Sequence, residues 1–142
     1  MLGKPSLDIQ QQIERGISIL RQGGIVAYPT DTVYGLGACA TIAQAVERVY
    51  KVKERPQNMP LPLLLADTSQ ITKVAERVPS VAWLLINSFL PGALTIVLDK
   101  SNSVPDIITG GGTTIAIRIP AHPFPLPLLK VWGLLLWAQV LI

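Results

Sequence analysis

A chain of 142 residues suits one domain with a single core, and 49% hydrophobic against 15% charged residues excludes a disordered composition. The formal net charge of +3 permits contact with nucleic acid or nucleotide phosphates without demanding it, and an ordinary, slightly basic soluble protein fits equally well. The one cysteine, Cys39, excludes an intramolecular disulfide and a multi-cysteine zinc site, and it fits a reducing cytoplasm.

Taken in chain order, Met1 to Gln12 is mostly polar, so no secretory signal is expected. Ile9, Ile13, Ile17 and Leu20 recur at helical spacing and predict a helix over Asp8 to Gln22, with Ser6 or Asp8 as its cap and Gly23-Gly24 as its stop. Ile25 to Tyr28 predicts a short buried strand ended by Pro29. Thr41 to Lys53 predicts a second helix, closed by Pro56. The apolar run Leu61 to Ala66 predicts a central strand, with Pro62 delaying its start to Leu63. Ser69 to Arg77 predicts a helix capped by Asp67 or Thr68, and Pro79 to Phe89 another, carrying Val81, Trp83, Leu84, Leu85 and Ile86. Leu94 to Leu98 predicts a strand, Ser101 to Gly112 a loop, and the β-branched Thr113 to Ile119 a further strand. Helices interleaved with short apolar strands predict an α/β domain with a mixed sheet. The uncharged segment Val131 to Ile142 is 12 residues long, too short to span a bilayer as a helix, so no membrane contact is expected. The isolated His122 reads as structural, and no metal triad is visible.

Three stretches place polar groups beside Pro or Gly at the end of a predicted element, where sites in α/β sheets gather. Pro29 to Gly37 offers Thr30, Asp31, Thr32 and Tyr34 as donors and acceptors, with Gly35 and Gly37 allowing close approach. It reads equally as a reader of a small polar substrate and as an ordinary turn capped by Thr and Asp. Lys51, Lys53 and Arg55, if extended, point to one side and suit a polyphosphate. By itself that segment reads more simply as a solvated helix C-terminus. Gly110-Gly111-Gly112 can expose backbone N–H groups to an anion, although no Walker A pattern follows. Thr114 and Arg118 alternate onto one face of their strand, and an arginine among Ile and Ala must be paired or face a ligand. A glycine-rich surface loop with an edge-strand arginine remains the plain alternative.

Together, "PTDTVYGLG" (Pro29 to Gly37), "KVKERP" (Lys51 to Pro56), "MPLPLLL" (Met59 to Leu65), "PGALTIVL" (Pro91 to Leu98) and "TTIAIRIPAHP" (Thr113 to Pro123) resemble, in order, the YrdC-like family of threonylcarbamoyl-AMP synthases. The resemblance runs from about Ile9 to Leu129. It implies a twisted mixed sheet with flanking helices and a concave basic cavity. It also implies the reaction of L-threonine, bicarbonate and ATP, with Mg2+, to give threonylcarbamoyl-AMP and pyrophosphate. That product feeds t6A formation at adenosine 37 of tRNA through a downstream transfer machinery, and contact with tRNA or double-stranded RNA is a further implication. Carried over residue by residue, Thr32 contacts L-threonine, Thr30 and Tyr34 shape its pocket, and Arg118 binds its carboxylate. Lys53 and Arg55 hold the ATP phosphates and serve the reaction, and Thr114 faces the nucleotide. Such chemistry needs aligned substrates and neutralised phosphate charge more than a protein nucleophile. Leu64 stands where some members have a histidine near the amino acid, and Ala93 replaces a common proline.

The tail departs from the family. The resemblance implies a strand leading to a Ser-x-Asn motif that helps bind ATP and threonine, yet no Ser or Asn follows Ser103. The expectation is a YrdC-like domain over residues 1–130, incomplete at its C-terminal end, and an aberrant apolar tail over 131–142. Trp137 to Ile142 can be back-translated so that a shifted frame reads Gly-Thr-Ser-Ala-Asn, which motivates the hypothesis of a one-base slip between about Leu128 and Trp137. A binding module that holds nucleotide or RNA without catalysis is the alternative function.

Overall fold

The computed structural model describes residues 5–121, 134–136 and 138–139; His122 and most of the Val131 to Ile142 segment lie outside them. Helix α1 spans Pro5–Arg21. It begins earlier than its apolar repeat suggests, so Ser6 and Asp8 lie inside the helix rather than at its cap. Its end follows the glycine pair. Gly23 takes φ 76°, Gly23 N donates to Leu20 O at 3.1 Å, and Gly24 N reaches back to Ile19 O at 2.9 Å. That closes the helix with a left-handed residue that only glycine adopts cheaply. Arg48 Nη1 adds a bond to Gly23 O at 3.1 Å from the second helix.

Strands β1 (Val26–Tyr28) and β2 (Gly35–Gly37) form an antiparallel hairpin, with Val26 opposite Gly37 and Tyr28 opposite Gly35. Residues 29–34, the polar stretch of the sequence, are therefore its loop. The strand character of Gly35–Gly37 is invisible to propensity, because glycine disfavours strands; pairing with β1 imposes it. Helix α2 covers Ala43–Val52 and buries Ala45, Val46, Val49 and Tyr50. Strand β3 is Leu63–Leu65, starting where Pro62 predicts.

A 3-10 turn at Thr68–Gln70 leads into the short helix α3, Ile71–Val74. Asp67 caps the turn by accepting from Ser69 N at 2.8 Å. The predicted helix to Arg77 stops early because Ala75 forms a bridge with Lys100 and Glu76 N donates to Asp99 O at 2.9 Å. Tertiary pairing overrides local helical preference there. Helix α4 spans Ser80–Phe89 and strand β4 Ile96–Asp99. Strand β5 is Thr114–Arg118, followed by β6 (Leu134–Leu136) and β7 (Ala138–Gln139).

Among the described residues the strands form two sheets, ordered β1-β2-β7 and β4-β5-β3-β6. The second is mixed: β3 runs parallel to β5 and antiparallel to β6. This is the mixed α/β class the sequence predicts. Leu63 and Leu65 face a large core with Val46, Val49, Ile86, Ile115 and Ile117, while Leu64 turns to a smaller cluster with Leu20 and Tyr28. The fully apolar run of β3 is thus explained by burial on both faces. Helix α4 buries Ala82 and Ile86, whereas Val81, Leu84 and Phe89 are exposed.

Candidate functional site

The β3–β5 register sets Leu63 beside Ile117 and Leu64 beside Arg118. Side chains alternate along a strand, so Arg118 emerges on the face opposite the large core, next to Leu64. There it meets the hairpin loop. Arg118 is 2% exposed. Its Nη1 donates to Thr32 Oγ1 at 2.9 Å, its Nη2 is ion-paired with the Asp31 carboxylate, and its Nε donates to Gly92 O at 3.0 Å. A buried guanidinium demands such partners, since a charge in a low-dielectric interior is costly unless paired and hydrogen-bonded.

Thr30, itself buried, organises the loop that supplies two of these partners. Its Oγ1 donates to Val33 O at 2.5 Å, accepts from Val33 N at 3.2 Å and from Thr32 N at 3.3 Å, and lies 3.3 Å from Thr32 Oγ1. The hydroxyl closes a local turn of the kind Thr favours. The structure therefore gathers Thr30, Thr32 and Arg118, three residues singled out in sequence, into one hydrogen-bonded group. Tyr34, the last residue of the loop, is 48% exposed. Asp31 and the Gly92 carbonyl belong to the group as well. Asp31 carried a signal, a carboxylate between two hydroxyls, but its pairing with a residue 87 positions away is decided by the fold.

The second cluster lies at the end of α2. Lys51 is in the helix's last turn and Lys53 is its C-cap in αR conformation, so the extended, one-sided arrangement of Lys51, Lys53 and Arg55 does not form. Glu54 turns the chain with φ 50°. Arg55 Nη2 then donates to Pro60 O at 2.9 Å and its Nε to Met59 O at 3.4 Å. The Tyr50 hydroxyl lies 3.0 Å from Met59 O and 2.8 Å from Ile107 O. Burial raises the phenol of Tyr50 above its ordinary range, partly offset by the nearby Arg55 cation. Leu61 N donates to Ile108 O at 2.8 Å, and a Cβ on Gly110 would meet Asn58 O at 2.6 Å. The Arg55–Pro60 loop is thus laced to the Ile107–Gly110 segment.

Because β3 and β5 are parallel, residues preceding Leu63 lie toward the Thr114 end of β5. Thr114 and Arg118 share a face but are four residues apart, about 13 Å along a strand. Arg118, buried among hydroxyls, therefore stands at one end of β5, and Thr114, paired across the sheet with Asp99, at the other.

The glycine run does not present a free anion cradle. Gly111 N donates to Asp106 O at 2.9 Å and Gly112 N to Thr109 O at 3.0 Å. A cavity of about 360 Å³ beside it is lined by Glu76, Asp99 and Asp106 against one cation, Lys100, which is itself paired with Asp106 at 3.0 Å. Excess carboxylate disfavours a phosphate there. Among the described residues no group of three or more His, Cys, Asp or Glu could hold a metal ion, and no helix is long and apolar enough to cross a membrane.

Strands and helices define a mixed α/β domain in which Arg118, Asp31, Thr32 and Thr30 meet where β5 ends against the hairpin loop. Residues 18–139 match the Sua5/YciO/YrdC family, described as telomere recombination, and the chain belongs to that family. It is 41% identical over 130 residues to the threonylcarbamoyl-AMP synthase of Pyrococcus abyssi, covering 88% of this chain and 38% of the relative. It is 42% identical over 124 residues to the Bacillus subtilis protein of the same name, covering 87% and 36%. The fold is similar to P. abyssi Sua5 complexed with L-threonine, with a TM-score of 0.87 at 40% identity over 91% of this chain and 38% of that one. The chain therefore spans little more than a third of these relatives' length.

Proposed function

We propose that the chain is a threonylcarbamoyl-AMP synthase domain that joins L-threonine, bicarbonate and ATP into threonylcarbamoyl-AMP and pyrophosphate for t6A modification of tRNA. The observation that carries this reading is the buried Arg118 guanidinium beside Thr32 and Thr30, in a family whose P. abyssi member is described in complex with L-threonine. Arg118 and Thr32 hold the threonine carboxylate and neighbouring polar groups. Thr30 fixes the loop, and Tyr34 borders the pocket. Lys53 and Arg55 neutralise phosphate charge on MgATP, and Thr114 faces the nucleotide. The separation along β5 suits an amino acid at one end and a nucleotide at the other of one concave basic cavity. Alignment of the amine, bicarbonate and α-phosphate in a shielded site then supplies the rate. The reaction is assigned to the cytoplasm, with tRNA or double-stranded RNA contact and a downstream transfer machinery as partners.

The test is pyrophosphate release by the purified chain with ATP, L-threonine and bicarbonate, each omitted in turn. Release requiring all three supports the reading; release independent of threonine overturns it.

A second reading has its own observation: Val131 to Ile142 carries no charged residue and no Ser or Asn in the stretch where the family resemblance implies a Ser-x-Asn motif. On that reading residues 1–130 form a YrdC-like domain, residues 131–142 are an aberrant tail arising from a one-base slip, and the chain binds nucleotide or RNA without turnover. Sequencing the gene and finding no family-like downstream frame would remove the slip hypothesis.

A further inference from the structure

The Asp31–Arg118 pair poses a charge problem for any carboxylate ligand. If Arg118 binds the carboxylate of an amino acid, as the proposed function has it, a second negative group must enter a place already neutralised by Asp31. Two charges of like sign beside one buried guanidinium repel each other. We infer that the pair is exchanged against a zwitterion: Arg118 passes to the ligand carboxylate and Asp31 to the ligand ammonium. Two opposite charges enter, two are already present, and all four remain paired.

Three observations support the exchange. Asp31 retains 17% side-chain exposure against 2% for Arg118, so an approaching ligand meets the carboxylate first. Asp31 stands on the hairpin loop, whereas Arg118 is fixed on β5 by its bond to Gly92 O at 3.0 Å and held by Thr32 Oγ1 at 2.9 Å. Both of those acceptors are neutral, so the guanidinium keeps its place when Asp31 turns away. Asp31 is then a specificity-determining residue: it selects ligands bearing an ammonium beside their carboxylate.

The experiment is calorimetric titration of the full 142-residue chain with L-threonine, with its amide, and with the hydroxy acid carrying OH in place of the ammonium. Each half-charged analogue is expected to bind about 10- to 100-fold more weakly than L-threonine, the range for losing one charged hydrogen-bond partner. In Asp31→Asn the preference for L-threonine over the hydroxy acid collapses toward unity. An unchanged preference in the variant, with L-threonine still bound by the wild type, overturns the exchange while leaving the threonine site intact. Failure of the wild type to bind L-threonine at all overturns both. Should Asp31→Asn not fold, the wild-type comparison decides: a hydroxy acid binding as tightly as L-threonine refutes the role of Asp31.

Discussion

Arg118 and Gly92 are joined through both edges of one short segment: Arg118 Nε donates to Gly92 O at 3.0 Å, and Gly92 N donates to Ile119 O at 2.8 Å. The turn after α4 is thereby locked to the end of β5, and the arginine is oriented by backbone as well as by side chains. A Cβ on Gly92 would meet Phe89 O at 2.5 Å. Gly92→Ala is therefore expected to shift this turn, costing about 1–3 kcal/mol as an overpacked site does. Urea unfolding should show the lower midpoint with an unchanged slope.

Arg118→Lys keeps the charge but not the planar fork that reaches Asp31, Thr32 and Gly92 together. An ammonium on a shorter donor set leaves buried acceptors unmatched. The expected loss is about 1–3 kcal/mol of stability, with L-threonine affinity reduced at least about tenfold. Thermal melts and titration with L-threonine check the two effects separately.

Tyr50→Phe removes the hydroxyl that reaches Met59 O and Ile107 O. Loss of buried hydrogen bonding should cost about 1–2 kcal/mol and loosen the Arg55–Pro60 loop. The wild type carries an alkaline signature as well. The phenol of Tyr50 is raised in the folded state, so its protonated form is favoured by folding. That contribution is complete below the unfolded tyrosine value and is lost as pH rises through the higher folded value. Burial raises the Tyr28 phenol further still, so an ultraviolet titration should show two tyrosines ionising later than a free phenol, and Tyr50→Phe should remove the earlier of these two components while the Tyr28 component stays.

Asp67 behaves in the opposite sense. Hydrogen bonds from Ser69, then the Lys73 charge and Gln70, lower its carboxyl below the ordinary range. A depressed carboxyl stabilises the fold above the unfolded value, and this contribution is lost as pH falls through the folded one. The melting-temperature difference between wild type and Asp67→Ala should be present at neutral pH and vanish on acidification.

The two sides of α4 should respond differently to substitution. Ile86 is fully buried, whereas Leu84 is 68% exposed. Ile86→Ala is expected to cost about 2–5 kcal/mol. Leu84→Gln should stay within about 0.5 kcal/mol of wild type, because it removes no buried contact. Chemical denaturation of both variants distinguishes a core-facing from a solvent-facing stripe.

Much of the architecture is legible in the amino-acid sequence. The repeat of Ile13, Ile17 and Leu20 specified α1, the glycine pair specified its end, and Pro62 set the start of β3, because periodicity and backbone restriction are local properties. Thr30, Thr32 and Arg118 stood out as polar groups at element ends for the same reason. The strand at Gly35–Gly37 was hidden, since only its partner β1 makes glycines extended there. The early end of α3 was hidden too, because the Ala75–Lys100 bridge joins distant segments. Lys51, Lys53 and Arg55 could be named as cations, but whether they line up depended on where α2 ends. The amino-acid sequence alone determined which residues carry charge and hydroxyls and which stretches must be buried. Only the tertiary structure decided that Asp31 neutralises Arg118 across 87 positions, because that pairing depends on the parallel register of β3 and β5 and the docking of a hairpin loop against it.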